Sequence, residues 1–132
     1  GRSNIKILAV TFLTSLNRED LDSSMIQKGK IENLVRERAR RAFDAGADGV
    51  ICSPNEARRI RSLNNSFGKI IVTPGIRPMG SENFDQKRIC DPVTAINNGA
   101  DYLVIGRPIT EAINPLIEVN KITAQLIGNL SG

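Results

Sequence analysis

One short pattern occurs twice in this sequence and constrains the fold more than any other feature. Residues 42–51 and 95–104 each contain the end of a helical segment, a glycine, an Ala-Asp pair and then an apolar strand segment. Gly46 and Gly99 are placed where glycine usually stops a helix. The repetition indicates alternating helices and strands, which is typical of a parallel sheet covered by helices.

The other predicted elements follow from periodicity and from the residues that start and stop helices. Strands are predicted at residues 5–13, 48–52, 69–73 and 102–105. The first of these runs is mostly apolar and is expected to be buried on both faces. Helices are predicted at about 31–43, 55–63, 91–98 and 114–127, with a shorter helical possibility at 19–25. Asp91 and Asn114 each precede a proline and are expected to cap helices, and Gly128 is expected to end the last one.

Recurring strand–helix units favour a βα-barrel. A complete barrel needs about 250 residues, whereas this chain has 132 residues and four predicted strands. The sequence therefore predicts one incomplete α/β domain, residues 1–132, that forms about half of a (βα)8 TIM barrel. A flavodoxin-like open sheet is the alternative layout.

Composition excludes several classes of function. Histidine is absent, which rules out Ser-His-Asp and Cys-His nucleophilic systems and histidine metal sites within this chain. Cys52 and Cys90 form no Cys-x-x-Cys motif and are expected to be reduced thiols of a cytosolic protein, with a disulfide or a reactive thiol as the alternative. Cys52 is not expected to be a nucleophile.

Charge and hydropathy narrow the possible partners. The net charge of +4 points to a small anionic ligand as readily as to nucleic acid, and the few aromatic residues argue against base stacking. No apolar run is long enough to span a membrane, and the first residues do not have the pattern of a signal peptide. We therefore expect no nucleic-acid partner and no membrane partner.

Functional residues of a βα-barrel collect at the C-terminal ends of its strands. The loops after the third and fourth predicted strands contain Arg77 and Arg107, each close to a glycine and a proline. Arginine binds phosphate oxygens in a bidentate manner, and Gly106 lets backbone N–H groups approach an anion. These loops therefore predict a phosphate site, the alternative being two ordinary solvated arginines.

The loop from Met79 to Cys90 is long for a βα connection. It is either a lid that closes over a ligand, in which Gln86 could reach a bound group, or a surface insertion. Asp48 and Asp101 precede strands and therefore lie at the opposite end of the barrel, where a structural role is expected.

Five segments resemble the bacterial type of the orotidine 5′-phosphate decarboxylase family: residues 10–15, 46–53, 73–78, 85–88 and 99–110. Thr-Pro-Gly-Ile-Arg followed by Asp-Gln-Lys-Arg is the specific part, because other phosphate-binding barrels also have Gly-Ala-Asp and Ile-Gly-Arg segments. The resemblance implies a cytoplasmic (βα)8 barrel of pyrimidine biosynthesis that converts orotidine monophosphate to UMP and CO₂, with no metal or organic cofactor.

The resemblance also implies a role for each matching residue. Thr14 would hydrogen-bond the pyrimidine and Pro74 would pack against it. Arg77, Arg107 and the Gly106 backbone N–H would hold the 5′-phosphate. Gln86, on the closing loop, would bridge the phosphate and the base.

The chain departs from the family pattern in one respect. The catalytic Asp-x-Lys-x-x-Asp motif is absent from it, so no catalytic residue is expected here and the match is to strands five to eight, the C-terminal half of the barrel. Its implied partners are orotidine monophosphate or UMP, the N-terminal half-barrel and, since an open half-barrel exposes its edges, a second copy in a homodimer. Two alternatives stay open: half of another phosphate-binding barrel, such as a tryptophan- or histidine-pathway isomerase, or a non-enzymatic dimerising half-barrel.

Overall fold

The computed structural model describes residues 4–13, 15–23, 28–78 and 90–130. Its strands are β1 (Leu8–Val10), β2 (Gly49–Ile51), β3 (Ile70–Thr73) and β4 (Tyr102–Leu103). Its helices are α1 (Arg18–Ser23), α2 (Ile31–Asp44), α3 (Pro54–Arg61), α4 (Pro92–Asn97), α5 (Arg107–Thr110) and α6 (Pro115–Leu130), with a short 3₁₀ helix at Asn64–Ser66.

The four described strands form one parallel sheet in the order β1-β2-β3-β4. Each strand lies beside the next one along the chain, which confirms the predicted alternation of strands and helices. A flavodoxin-like sheet reverses its strand order at a switch point. Because the described sheet has no such reversal, the flavodoxin-like alternative is wrong.

The hydrophobic core lies between one face of this sheet and helices α2 and α3. The sheet contributes residues from its two central strands, and each helix contributes the apolar side chains that recur on one of its faces. The buried residues at this interface include Val35, Ala39, Phe43, Val50, Ala57, Ile60 and Ile71. Burial of these faces against each other contributes hydrophobic stabilisation to the described structure.

Short-range signals set the helix boundaries as predicted. The side chain of Asp91 accepts a hydrogen bond from the backbone N–H of Thr94 at 3.0 Å, and Pro92 takes the first helical position. Gly46 follows α2 with a φ of 94°, a backbone conformation that is accessible to glycine. Burial opposes ionisation of Asp91, but the hydrogen bonds from Thr94 and the nearby backbone N–H groups together outweigh it and hold the pKa of Asp91 below its ordinary value.

The prediction that the first strand spans residues 5–13 and is buried on both faces is wrong. β1 covers only Leu8–Val10, and Ile5, Ile7 and Val10 are 75%, 66% and 53% exposed. Ala9 packs against the core cluster, but β1 lies at one edge of the described sheet. Among the described residues no second layer covers the face of the sheet that points away from the helices.

Two boundaries near the end of the chain also differ from prediction. β4 ends at Leu103 rather than at Ile105. Helix α6 continues through Gly128 to Leu130, because a glycine stops a helix when its φ becomes positive and Gly128 is not among the glycines with positive φ.

Candidate functional site

The C-terminal ends of β3 and β4 lie side by side, because these strands are paired in parallel with Val72 level with Tyr102. The loop with Arg77 follows β3, and the segment with Arg107 follows β4. The structure therefore places both predicted phosphate ligands after neighbouring strands, at the C-terminal ends of the strands.

Arg77 sits in a tightly held turn. Gly75 has a φ of 76°, which an L side chain rarely adopts. The backbone N–H of Arg77 donates to the carbonyl of Cys90 at 3.0 Å, and the N–H of Cys90 donates to the carbonyl of Gly75 at 3.3 Å. These two bonds join the segments on either side of residues 79–89 and fix the backbone from which the Arg77 side chain extends.

The Arg77 side chain is buried, with 7% of its surface exposed. Its Nη1 donates to the carbonyl of Ile76 at 2.9 Å, whereas Nε is buried without a hydrogen-bond partner among the described residues. The alternative that Arg77 is an ordinary solvated arginine is therefore wrong. A buried guanidinium with an unused donor is costly unless an acceptor reaches it.

Arg107 and Gly106 occupy the start of α5. Arg107 is half-buried and is the first residue of the helix. The carbonyl of Gly106 accepts from the backbone N–H groups of Ile109 at 2.9 Å and Thr110 at 3.1 Å. Apart from its own chain neighbours, no described residue has an atom within 4 Å of the position that a Cβ of Gly106 would take, so the backbone is open to close approach there.

The remaining predicted site residues are only partly described. Pro74 is half-buried directly after β3. Thr14 and Gln86 lie outside the described residues. The choice between a lid and a surface insertion for the loop after Pro78 therefore stays open, as do the roles assigned to Thr14 and Gln86.

Two features at the ends of β1 and β2 were not predicted from the sequence. Ser53 and Glu56 form a capping box at the start of α3: the Ser53 side chain accepts from the Asn55 N–H at 3.4 Å, and Glu56 Oε2 accepts from the Ser53 N–H at 3.0 Å. The Ser-x-x-Glu spacing is a sequence signal that could have found it. The Arg38 guanidinium lies 4.1 Å from the ring centroid of Phe12, a contact for which the sequence carries no signal.

Asp48 and Asp101 lie at the N-terminal ends of the strands, as predicted. Asp48 Oδ2 accepts from the backbone N–H of Ile7 at 2.8 Å, and this bond, together with the charge of Lys6, holds the pKa of Asp48 below its ordinary value. Asp101 Oδ2 accepts from the backbone N–H of Ile71 at 2.8 Å. Both aspartates therefore stabilise strand starts.

Neither cysteine forms a disulfide. Cys52 is fully buried. Burial and the neighbouring Asp91 raise the pKa of Cys90 to about 11, so its reactive thiolate form is scarce at neutral pH. Within the described part of the chain, no three His, Cys, Asp or Glu side chains cluster as metal ligands, and no helix has the length and apolar character needed to cross a bilayer.

Comparisons with known proteins agree with this geometry. The orotidine 5′-phosphate decarboxylase / HUMPS family matches residues 1–122. An orotidine 5′-phosphate decarboxylase of Ruegeria pomeroyi is 54% identical over 123 residues, which are 93% of this chain and 51% of that protein. The enzyme of the same name from Jannaschia sp. is 55% identical over 124 residues, 94% of this chain and 54% of that protein.

A solved structure gives the same relationship in three dimensions. The crystal structure of orotidine 5′-phosphate decarboxylase from Lactobacillus acidophilus superposes with a TM-score of 0.74 at 35% identity, over 92% of this chain and 49% of that one. The chain thus spans about half the length of the relatives it matches. The parallel sheet, whose strands follow one another in chain order, and the match to about half of these barrels together confirm the predicted fold, the C-terminal half of a (βα)8 barrel. Because the family match covers most of its residues, the chain belongs to the orotidine 5′-phosphate decarboxylase / HUMPS family.

Proposed function

We propose that this chain is the phosphate- and substrate-binding half of an orotidine 5′-phosphate decarboxylase, a carboxy-lyase that converts orotidine monophosphate to UMP and CO₂. Arg77 is the observation that carries this proposal. Its guanidinium is buried at the end of β3, and its Nε has no acceptor among the described residues. A ligand phosphate would supply that acceptor and offset the cost of burying the charge.

Arg107 and Gly106 would complete the phosphate site from the adjacent strand. An arginine and an open glycine backbone at the end of β4 supply a charged donor and room for a close approach. Thr14 and Pro74 would contact the pyrimidine, and Gln86 would bridge base and phosphate. The chemistry needs a lysine ammonium and carboxylates of an Asp-x-Lys-x-x-Asp motif, which this chain does not contain.

Groups that bind the phosphate can accelerate a reaction that takes place at a distant part of the substrate. Binding energy from a phosphate can drive loop closure and exclude water from a distant reacting centre, which lowers the barrier there. This chain would supply that binding energy, and an N-terminal half-barrel would supply the reacting groups. We therefore expect the chain by itself to show no decarboxylase activity. Turnover of orotidine monophosphate in a sample free of host enzyme would contradict this expectation.

Titration calorimetry with UMP, uridine and a sugar phosphate tests the binding site. UMP is expected to bind more tightly than uridine, which lacks the phosphate, and more tightly than the sugar phosphate, which lacks the base. In a full-length protein that contains this half-barrel, Arg107→Ala is expected to weaken UMP binding by about 2–4 kcal/mol, the cost of unpairing a charge-assisted hydrogen bond. Gln86→Ala should cost less, because ordering a loop residue consumes conformational entropy.

The assignment of Arg107 is wrong if Arg107→Ala weakens uridine and UMP equally, or if Gln86→Ala costs more. A preference for the sugar phosphate over UMP would favour the isomerase-type alternative. Equal, weak binding of all phosphates would favour a non-enzymatic half-barrel.

We also propose that the chain self-associates when its complementary half is not present. The exposed apolar side chains of β1 and β4 favour pairing over a solvated monomer. Light scattering that shows a folded monomer at every concentration would contradict this. A cytoplasmic location is proposed because neither Cys52 nor Cys90 forms a disulfide and because of the family match.

A further inference from the structure

The exposed apolar side chains of this chain are concentrated on two surfaces. One, the β1 edge (residues 5–13), carries Ile5, Ile7, Val10 and Leu13; the other, the β4–α6 surface (residues 102–127), carries Tyr102, Val104, Ile113, Leu116, Ile117, Val119 and Ile127. Among the described residues, Phe67 is the one exposed large hydrophobic outside both. These surfaces flank the two outer strands of the sheet.

One surface contains an apolar cavity, and the other carries an exposed apolar side chain. A cavity of about 360 Å³ opens between β4 and α6, and its walls include Leu103, Ile105, Ile122 and Leu126. On the β1 edge, Ile7 is 66% exposed and lies on the same face of its strand as Ala9, which packs under the helices. The β1 edge therefore offers an apolar side chain on the face where the β4–α6 surface has a cavity.

The hydrogen bonds of the sheet reveal a structural repeat. Asp48 donates its N–H to the Ile7 carbonyl at 2.9 Å and accepts from the Ile7 N–H at 2.8 Å. Asp101 donates to the Ile71 carbonyl at 2.9 Å and accepts from the Ile71 N–H at 2.8 Å. The β1–β2 pair and the β3–β4 pair are thus the same unit, with Ile71 equivalent to Ile7 and Asp101 equivalent to Asp48.

The junction between β2 and β3 shows how one unit follows another. There Gly49, the residue after the aspartate, lies level with Ile70, the residue before the isoleucine. We propose that, when no complementary half-barrel is present, two copies of this chain form a closed eight-stranded barrel by repeating this junction between β4 of one copy and β1 of the other. Tyr102 would then lie level with Lys6 of the second copy, Leu103 with Ile7 and Val104 with Leu8.

The register of the sheet is consistent with this closure. Leu8 lies level with Gly49 and Gly49 with Ile70, whereas the repeat makes Val72 the equivalent of Leu8. From one two-stranded unit to the next, the residue at the same level therefore lies two positions earlier in the repeat. Around a ring of four units this offset would add up to about eight residues. A shear of about eight is the value for an eight-stranded βα-barrel.

The proposed register also pairs side chains correctly on both faces of the sheet. Ile7 of the second copy would lie beside Leu103 and enter the cavity between β4 and α6. Leu8 and Val104 would meet on the opposite face, inside the barrel, where Val104 is 51% exposed in one copy. The arrangement has a twofold axis along the barrel, so both edges of each copy are covered by the same contact.

The closed barrel would also change the surroundings of the phosphate site, an inference that rests on the proposed function. In a parallel barrel both copies present their strand ends at the same mouth, so the Arg77 and Arg107 segments of two copies would line one opening. The barrel would hold two phosphate sites related by the twofold axis. Both would lie at the single mouth that the strand ends of the two copies form together.

Cysteine cross-linking tests the register. In a Cys90→Ser background, the double variant Leu8→Cys/Val104→Cys places the two thiols level across the junction, within the range of a disulfide. The matched control Val10→Cys/Val104→Cys keeps the same face of the sheet but moves one thiol by two residues. We expect a reducible covalent dimer from the first variant and at least tenfold less from the second under mild oxidation.

Isotope-filtered nuclear Overhauser measurements on the unaltered chain keep the test independent of whether these variants fold. Contacts between Leu103 and Ile7 in a mixture of labelled and unlabelled chains are expected. A monomer, equal cross-linking by both variants, or intermolecular contacts at other residues would overturn the closed barrel. A cross-linked dimer that does not bind UMP would contradict the proposed function and leave the barrel intact.

Discussion

Asp101 and Ile71 exchange two hydrogen bonds: the Ile71 N–H donates to Asp101 Oδ2 at 2.8 Å, and the Asp101 N–H donates to the Ile71 carbonyl at 2.9 Å. The same carboxylate oxygen accepts from Arg61 Nη2 at 2.6 Å. Arg61 also donates to the carbonyls of Lys69 and Gly99, each at 2.8 Å. This small network ties the end of α3 to the starts of β3 and β4.

Replacing Asp101 by alanine is expected to destabilise the fold by about 1–3 kcal/mol, because the N–H of the fully buried Ile71 loses its acceptor. Urea unfolding followed by circular dichroism measures the change. Asp48→Ala is the matched control: its partner Ile7 is exposed, so water can replace the lost acceptor and the loss should be smaller. Equal losses for both variants would contradict this explanation.

We expect the ionised Glu37 carboxylate to make part of the free energy of unfolding dependent on acid pH. Hydrogen bonds from Arg40 and Arg41 lower the pKa of Glu37 from 4.5 to about 2. Because the folded-state pKa is the lower one, this stabilisation is complete above about pH 4.5 and is lost as the pH falls towards 2. Glu37→Gln is expected to flatten the decline in unfolding free energy over that interval.

Added salt provides the check on the Glu37 prediction. The three side chains are exposed, so salt should screen their attraction and reduce the difference between Glu37→Gln and the unaltered chain. A decline between pH 4.5 and 2 that is the same in both proteins would show that these ion pairs do not stabilise the fold.

Cys90 is expected to react slowly with alkylating reagents. With a pKa of about 11, thiolate at pH 8 should be roughly a thousandfold scarcer than thiol, and the thiolate is the reacting form. Intact mass measured after iodoacetamide treatment at increasing pH should show modification of Cys90 rising towards pH 11. Cys52, which is fully buried, should stay unmodified until the chain unfolds. Rapid single modification of Cys90 at pH 8 would contradict the prediction.

The capping box at the start of α3 predicts a further stability effect. Ser53→Ala removes the side chain that accepts from the Asn55 N–H and is expected to cost about 0.5–2 kcal/mol. Ser62→Ala, at the exposed C-terminal end of the same helix, is the control and should change stability by less than about 0.5 kcal/mol. A loss for Ser53→Ala no larger than that for Ser62→Ala would rule out a stabilising cap.

The elements predicted best are those whose causes lie within a few residues. Asp91 and Pro92 start α4 by a side-chain cap and a fixed φ, and Gly46 follows α2 with the positive φ that a helix stop requires. Such interactions are complete within one turn of chain. Gly128 shows the limit of this reasoning, because a glycine is free to remain helical when nothing turns the chain away.

The sequence by itself determined the alternating strand–helix order, the family and the placement of two arginines after neighbouring strands. Only the tertiary structure decided which apolar and charged side chains are buried. The run from Ile5 to Leu13 has the composition of a buried strand, yet four of its apolar side chains are exposed, whereas Arg77 is buried beside Cys90. Burial depends on the layers and loops that other parts of the chain bring to a position, and a local pattern carries no information about them.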